Sequence, residues 1–283
     1  MDLVALQIFK TVAEQGGITK AATALHRVQS NVTTRVKQLE ERLGTKLFHR
    51  QGRRLVLSSE GKVLLAYADR LLRLSSEAQA ALKGHGPHGL FRLGTLESTA
   101  ATRLPPVLAR YHRGYPAVRL ELVTGTSGAL VDRVLRGEIE AAFVAEPFPA
   151  KNLETQHAFS EELVLITPKG HARVRTPDDI DERVVLAFTT GCSYRLRLEA
   201  WLGRSSVVAE RVMEYGSYHA ISACVAAGSG IAVVPKSVLR AIGIEAQVAV
   251  HALPASIANA RTMLVWHRGH QSAPLAALRQ ELR

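Results

Sequence analysis

At 283 residues the chain can hold one small domain and one or two of ordinary size, each with its own core. An apolar fraction of 47% with 5% aromatics and 22% charged residues excludes a disordered or fibrous chain and fits an Ala-, Leu- and Val-rich α/β protein. A net charge of +11 calls for an anionic partner, and the sequence has no run of 18 apolar residues that would span a membrane.

The first helix is expected over residues 3–15, with Leu3, Leu6, Phe9, Val12 and Ala13 on its packed face and Gly16 and Gly17 ending it. Residues 19–25 form a second, with Ala21, Ala22 and Leu25 at helical spacing. After a polar break at His26 and Arg27, a third helix starts near Gln29 and puts Val32, Val36, Leu39 and Leu43 on one stripe. Ser30, Thr33, Thr34 and Lys37 fall opposite, flanked by Arg35 and Gln38. Two short helices, the second with hydrogen-bonding side chains at its start, make a helix-turn-helix. The same pattern would also suit a plain amphipathic pair with a solvated face. Charge favours the DNA-binding reading, because residues 1–58 carry ten basic side chains against four acidic ones, a surface that neutralises phosphates. Residues 47–57 then read as a β-hairpin wing turning at Gly52.

Ser58 is placed to cap a long helix, with Glu60 in its first turn. Leu64, Tyr67, Leu71, Leu74, Ala78 and Ala81 follow at heptad spacing. Either a second copy or the chain's own following domain must cover that seam, and its regularity points to a second copy. Gly84, Gly86 and Gly89 match a dinucleotide fingerprint in form only, since they follow a helix and enclose Pro87. Residues 84–89 are therefore read as a hinge.

Beyond it, strands are expected at 91–96, 118–124, 141–144, 163–167, 184–188, 207–213, 231–234 and 262–267. Helices are expected at 100–111, 130–136, 195–202 and 217–227 and from 273 on. This alternation predicts an α/β unit with parallel or mixed sheets covered by helices.

Ligands of such sheets settle at the carboxyl ends of strands, beside helix N-termini. Glu97, Ser98 and Thr99, then Thr126 and Ser127, then Thr190, Cys192 and Ser193, and lastly Gly216 and Ser217 lie at such ends. Their hydroxyls and amides suit a small polar molecule, although helix capping would explain any one of them. Glu97 brings a negative charge, which suggests an ammonium-bearing ligand whose carboxylate, if present, meets Arg195 or the amides near Ser193. Cys192 and Cys224, the two cysteines, have no metal-ligand spacing, and a redox pair between them is the alternative to two reduced thiols. No nucleophile elbow, Walker loop or metal-binding helix is present in the sequence, so neither an enzyme nor a cofactor is expected. The amino-terminal residues lack the basic start and cleavage site of a secretory signal, which predicts a cytoplasmic protein.

One run carries a family resemblance: Ile18, Lys20, Ala21, Ala22, Leu25, Gln29, Val32, Arg35, Leu39, Glu40, Leu43, Gly44, Leu47, Phe48, Arg50, Leu57 and Gly61. It closely resembles the N-terminal domain of LysR-type transcriptional regulators. The family usually has Pro-Ala after the glutamine and Ser two residues on, where this chain has Ser30, Asn31 and Thr33. Those positions bear on base preference and not on fold. A weaker resemblance runs through residues 93–122, 137–144 and 228–235.

The resemblance implies a winged helix-turn-helix at 1–58, a dimerisation helix at 59–83 and a two-lobed effector domain like periplasmic binding proteins at 90–283. Its first lobe is expected at about 90–162 and 267–283, its second at about 163–266. Gln29, Ser30, Asn31, Thr33 and Thr34 are then expected at base edges, and Arg35, Arg50 and Arg53 at phosphates or a minor groove. Expected partners are double-stranded DNA, a small metabolite and a second copy in a dimer or tetramer, with RNA polymerase as a further candidate.

Overall fold

Asp2 starts the first helix, α1 (Leu3–Gln15), by accepting the Ala5 amide at 2.8 Å, and Gly16 ends it at φ 65. The computed structural model describes every residue except Arg53, Gly84, His85, Glu182, Arg183 and Arg283. The chain divides into two units, Met1–Gly86 and Pro87–Arg283.

In the first unit α1 buries Leu6, Ile8, Phe9 and Val12, while Leu3, expected on that face, lies open at the helix start. Helices α2 (Ile18–Ala24) and α3 (Gln29–Leu43) follow, joined by a turn in which His26 takes φ 51. Val32, Val36 and Leu39 are buried at helical spacing, and Leu43 at the last position of the helix is exposed. Strands β1 (Phe48–Gln51) and β2 (Arg54–Leu57) pair antiparallel, and Gly52 at φ 62 makes the turn of the wing. Phe48 meets Phe9 with ring centroids 5.4 Å apart, which ties the wing to α1.

Glu40 makes a second tie from α3. Its carboxylate accepts the Leu47 amide at 2.9 Å, the Phe48 amide at 3.4 Å and Lys46 Nζ at 2.8 Å. Burial works against its charge, but Lys46 and the two amides outweigh burial and hold the carboxyl below its usual range.

Helix α4 (Ser59–Lys83) begins where Ser58 Oγ accepts the Gly61 amide at 2.8 Å. One side of it, Leu64, Leu65, Ala68 and Leu72, packs into the core of the first unit, and Lys10 of α1 pairs with Asp69. Leu64, expected on the outer seam, thus faces inward. Val63, Tyr67, Leu71 and Leu74 remain exposed along the other side.

The second unit runs β3 (Gly89–Thr95), α5 (Glu97–Thr102), α6 (Leu104–Gly114), β4 (Val118–Thr124), α7 (Ser127–Leu135) and β5 (Ala141–Ala145). It continues with β6 (Leu153–Pro168), β7 (Val184–Ala187), α8 (Ser193–Leu202), β8 (Arg211–Glu214), α9 (Tyr218–Ala226) and β9 (Ala232–Pro235). Then come α10 (Lys236–Ile242), β10 (Val248–Ala252), α11 (Ala255–Ala258), β11 (Asn259–His267) and α12 (Ala273–Glu281). The single helix expected at 100–111 is two helices, because Pro105 and Pro106 lack amide donors and are tolerated only in the first turn of a new one.

The main sheet is mixed, ordered β10-β6-β11-β5-β3-β4, with β9 also on β6. Strands β3, β4 and β5 are parallel, whereas β11 runs antiparallel to both β5 and β6. The 16-residue β6 pairs with β11 up to Glu162 and with β9 and β10 from Leu163 on, so one strand serves both lobes. The return crossing was expected near residue 267. Because all of 259–267 pairs with first-lobe strands, it lies at the start of β11 instead.

Replacing Glu40 with Gln is expected to destabilise the first unit by about 1–3 kcal/mol at pH 7, since it weakens two amide bonds and an ion pair. A carboxyl held low in the fold stabilises above its unfolded pKa. The deficit of Glu40→Gln should therefore shrink as pH falls below the ordinary carboxylate value of 4.5, measured by urea denaturation across pH.

Candidate functional site

The start of α3 is set out from its own core by the same periodicity that buries Val32 and Val36. Gln29, Ser30, Asn31, Thr34 and Arg35 are exposed there. Thr33 is half-buried, and its hydroxyl donates to the Gln29 carbonyl at 2.9 Å, so its polar group is already engaged. Arg35 flanks the start of α1 beside Asp2, Gln38 and Arg42. Arg50 is exposed on the wing, and Arg53 lies outside the described residues.

In the second unit a small cavity opens where strand ends meet. The first lobe contributes Leu96, Glu97 and Ser98 after β3, Gly125, Thr126 and Ser127 after β4, and Ala145 at the end of β5. The second lobe contributes Phe188 after β7, Cys192, Ser193 and Tyr194 at the start of α8, and Tyr218 at the start of α9. All are at carboxyl ends of strands or at helix starts, as an open α/β sheet requires.

Several expected ligand groups are engaged in holding the lobes. Ser127 Oγ and Ser193 Oγ both donate to the Ala145 carbonyl, at 3.1 Å and 2.6 Å, and Ser193 Oγ also reaches Pro147 O at 3.1 Å. Thr126 Oγ1 caps α7 by accepting the Ala129 amide, and the Gly128 amide donates to Gly191 O at 3.1 Å. Ser217 caps α9 through the His219 amide. Thr190, Gly216 and Ser217 do not line the cavity; Thr190 and Gly216 lie exposed on turns. Thr99 is buried one residue beyond the lining.

Other groups are unengaged. Glu97 Oε2, Ser98 Oγ and Tyr194 OH are buried without hydrogen-bond partners. Burial pushes the Glu97 carboxyl up, while His219 and the Tyr218 amide draw it partly back. Burial also raises the phenols of Tyr194 and Tyr218 and the Cys192 thiol, which stay neutral donors. Cys192 and Cys224 are free thiols. Arg195, expected to receive a carboxylate, bonds Glu199 at 2.7 Å and Glu214 at 2.6 Å and is absent from this lining.

The reading from sequence missed Leu96, Gly125, Ala145, Phe188 and Tyr218, because it searched mainly for hydroxyls; an aromatic residue beside a strand end was the available signal. His270 Nε2 meets Glu140 Oε2 at 3.3 Å. Among the described residues, no group of His, Cys, Asp or Glu could hold a metal ion, and no helix is long and apolar enough to cross a membrane.

A winged helix-turn-helix followed by a two-lobed unit with a cavity at its strand ends defines a ligand-responsive DNA-binding regulator. Residues 3–62 match the bacterial regulatory helix-turn-helix protein model of the lysR family, and residues 84–283 match the LysR substrate binding domain. The chain is 36% identical over 266 residues to the HTH-type transcriptional regulator GltR of Bacillus subtilis, covering 94% of this chain and 90% of that protein. It is 40% identical over 261 residues to the regulator YusT of Bacillus subtilis, covering 92% and 88%. Full-length CbnR solved with its target DNA aligns over 100% of this chain and 99% of its own, with TM-score 0.69 and 22% identity. Full-length OxyR from Pseudomonas aeruginosa aligns over 100% and 95%, with TM-score 0.74 and 20% identity. The chain belongs to the LysR family of transcriptional regulators. It is a DNA-binding regulator whose activity a small molecule modulates.

Gly191 takes φ 92, and a Cβ there would stand 3.1 Å from Thr126 Oγ1. Gly191→Ala should therefore cost about 1–3 kcal/mol of stability in the second unit, read as a lower urea midpoint.

Proposed function

We propose that the start of α3 enters the major groove and that the cavity beside Glu97 receives the metabolite. The observation that carries the DNA reading is the exposed row Gln29, Ser30, Asn31 and Thr34, held rigid by Val32, Val36 and Leu39 on the buried side. Short side chains with donors and acceptors at a helix start suit base edges. Thr33, its hydroxyl engaged, offers its methyl group to a thymine. Arg35, Arg50 and Arg53 neutralise phosphates, with the wing reaching an adjacent minor groove.

Two copies pair through Val63, Tyr67, Leu71 and Leu74 of α4, an apolar stripe left open by the first unit. Pairing presents two α3 starts to two half-sites about one duplex turn apart. Such dimers associate into tetramers and act on RNA polymerase in the cytoplasm, as a regulator and not an enzyme. A ligand held between the lobes changes their relative orientation and so the spacing of the reading heads.

Arg50→Ala should weaken binding to every duplex and reduce the slope of log affinity against log salt by about one. Thr34→Ala should instead reorder preferred sites, by about 1–3 kcal/mol at the affected base pair. Sequencing genomic fragments retained by the protein supplies the sites, and an unchanged footprint for both variants sinks the assigned face. Leu74→Glu should convert dimers to monomers in sedimentation and lower operator affinity; an unaltered sedimentation coefficient rules out this seam.

A further inference from the structure

The charge and free valences of the cavity restrict what it can hold. Glu97 is the one charged residue lining it among the described residues. Nearby guanidinium groups are engaged elsewhere: Arg195 with Glu199 and Glu214, Arg103 with Glu161 at 2.6 Å, and Arg197 with the carbonyls of Glu146, Ile257 and Asn259. A ligand carboxylate beside Glu97 would meet like charge, which the neighbouring His219 offsets only in part.

The free oxygens tell the same story. Glu97 Oε2, Ser98 Oγ and Tyr194 OH are each buried and lack partners, and all three residues line this cavity, with Ser98 at 2% and Tyr194 at 3% exposure. The Tyr194 hydroxyl lies close to the hydroxyls of both Ser98 and Thr262, yet none of the three forms a hydrogen bond of good geometry. An alkylammonium group has three N–H donors and no acceptor, which matches three unfilled oxygens. Phe188 and Tyr218, with ring centroids 4.7 Å apart, form an aromatic wall of the same cavity, and ring faces attract a cation.

We infer that the effector is a small ammonium-bearing molecule, its nitrogen held by Glu97, Ser98 and Tyr194 against the Phe188 and Tyr218 rings. This rests on reading the cavity as the effector site and specifies the class of molecule that enters it. A simple amine and an amino acid share this chemistry, and the probes below distinguish them.

Titration calorimetry and thermal melts on the full chain test it, with ethylamine, putrescine, glycine and L-alanine set against propionate, succinate and acetamide. At saturating concentration at least one ammonium probe should raise the melting midpoint by about 4 °C or more, and the acids and the neutral amide should not. A response confined to glycine and alanine identifies an amino acid, and one confined to ethylamine and putrescine a simple amine. Glu97→Gln should bind the same probe more than tenfold more weakly. Because burial already disfavours the charge of Glu97, that variant should melt no lower than the parent chain at neutral pH. Binding of succinate without any ammonium probe, silence of all four ammonium probes, or an undiminished affinity in Glu97→Gln overturns the inference. Ser98→Phe, which grows into the cavity, separates the two levels. If it abolishes succinate binding, the cavity reading stands and the ammonium inference fails; if any probe binds it as tightly as the parent chain, the cavity reading itself fails.

Discussion

Strand β6 exchanges its hydrogen-bonding partners once, between Glu162 and Leu163, and that exchange makes one cavity out of two half-sheets. Upstream of the switch the strand is antiparallel to β11, and downstream it is antiparallel to β9 and β10. A continuous backbone cannot let the lobes drift apart freely. They abut at strand ends, where Ser127 from one lobe and Ser193 from the other converge on the carbonyl of Ala145. Motion that alters the cavity must bend this shared strand and its return partner, which confines it to a hinge.

The first unit obeys a different constraint, set by the two sides of α4. Leu64, Leu65, Ala68 and Leu72 complete a core that is otherwise built from α1, α2, α3 and the wing. The remaining stripe of Val63, Tyr67, Leu71 and Leu74 is too apolar for a lone helix in water. The helix therefore both finishes the fold of a reading head and offers the surface that would pair it with another. Rigidity of the head comes from Phe48 against Phe9 and from Glu40, whose buried carboxylate fastens the start of the wing to α3.

Around the cavity, hydroxyls divide by geometry and not by residue type. Thr126, Ser127, Ser193 and Ser217 are used to cap helices or to clasp Ala145, whereas Ser98 and Tyr194 are left with open valences. Nothing in a one-dimensional pattern separates a capping serine from one that faces a ligand, since both follow a strand and precede a helix. Arg195 shows the same limit: its position beside Ser193 suggested an anion receptor, but two glutamates, one of them 19 residues away, take its guanidinium.

The sequence by itself determined the elements whose signals are local. Helical periodicity and turn glycines were enough for the helix-turn-helix, the wing and the capped start of α4, because neighbours three or four residues apart decide them. The same held for most strands of the second unit, and the family likeness rested on those runs. The tertiary structure alone decided the length of β6 and the return crossing at Asn259. It also decided which side of α4 stays open and which cavity groups remain unpartnered. These depend on partners distant in sequence, and a hydrogen bond or a packed face is settled only once both halves have been brought together.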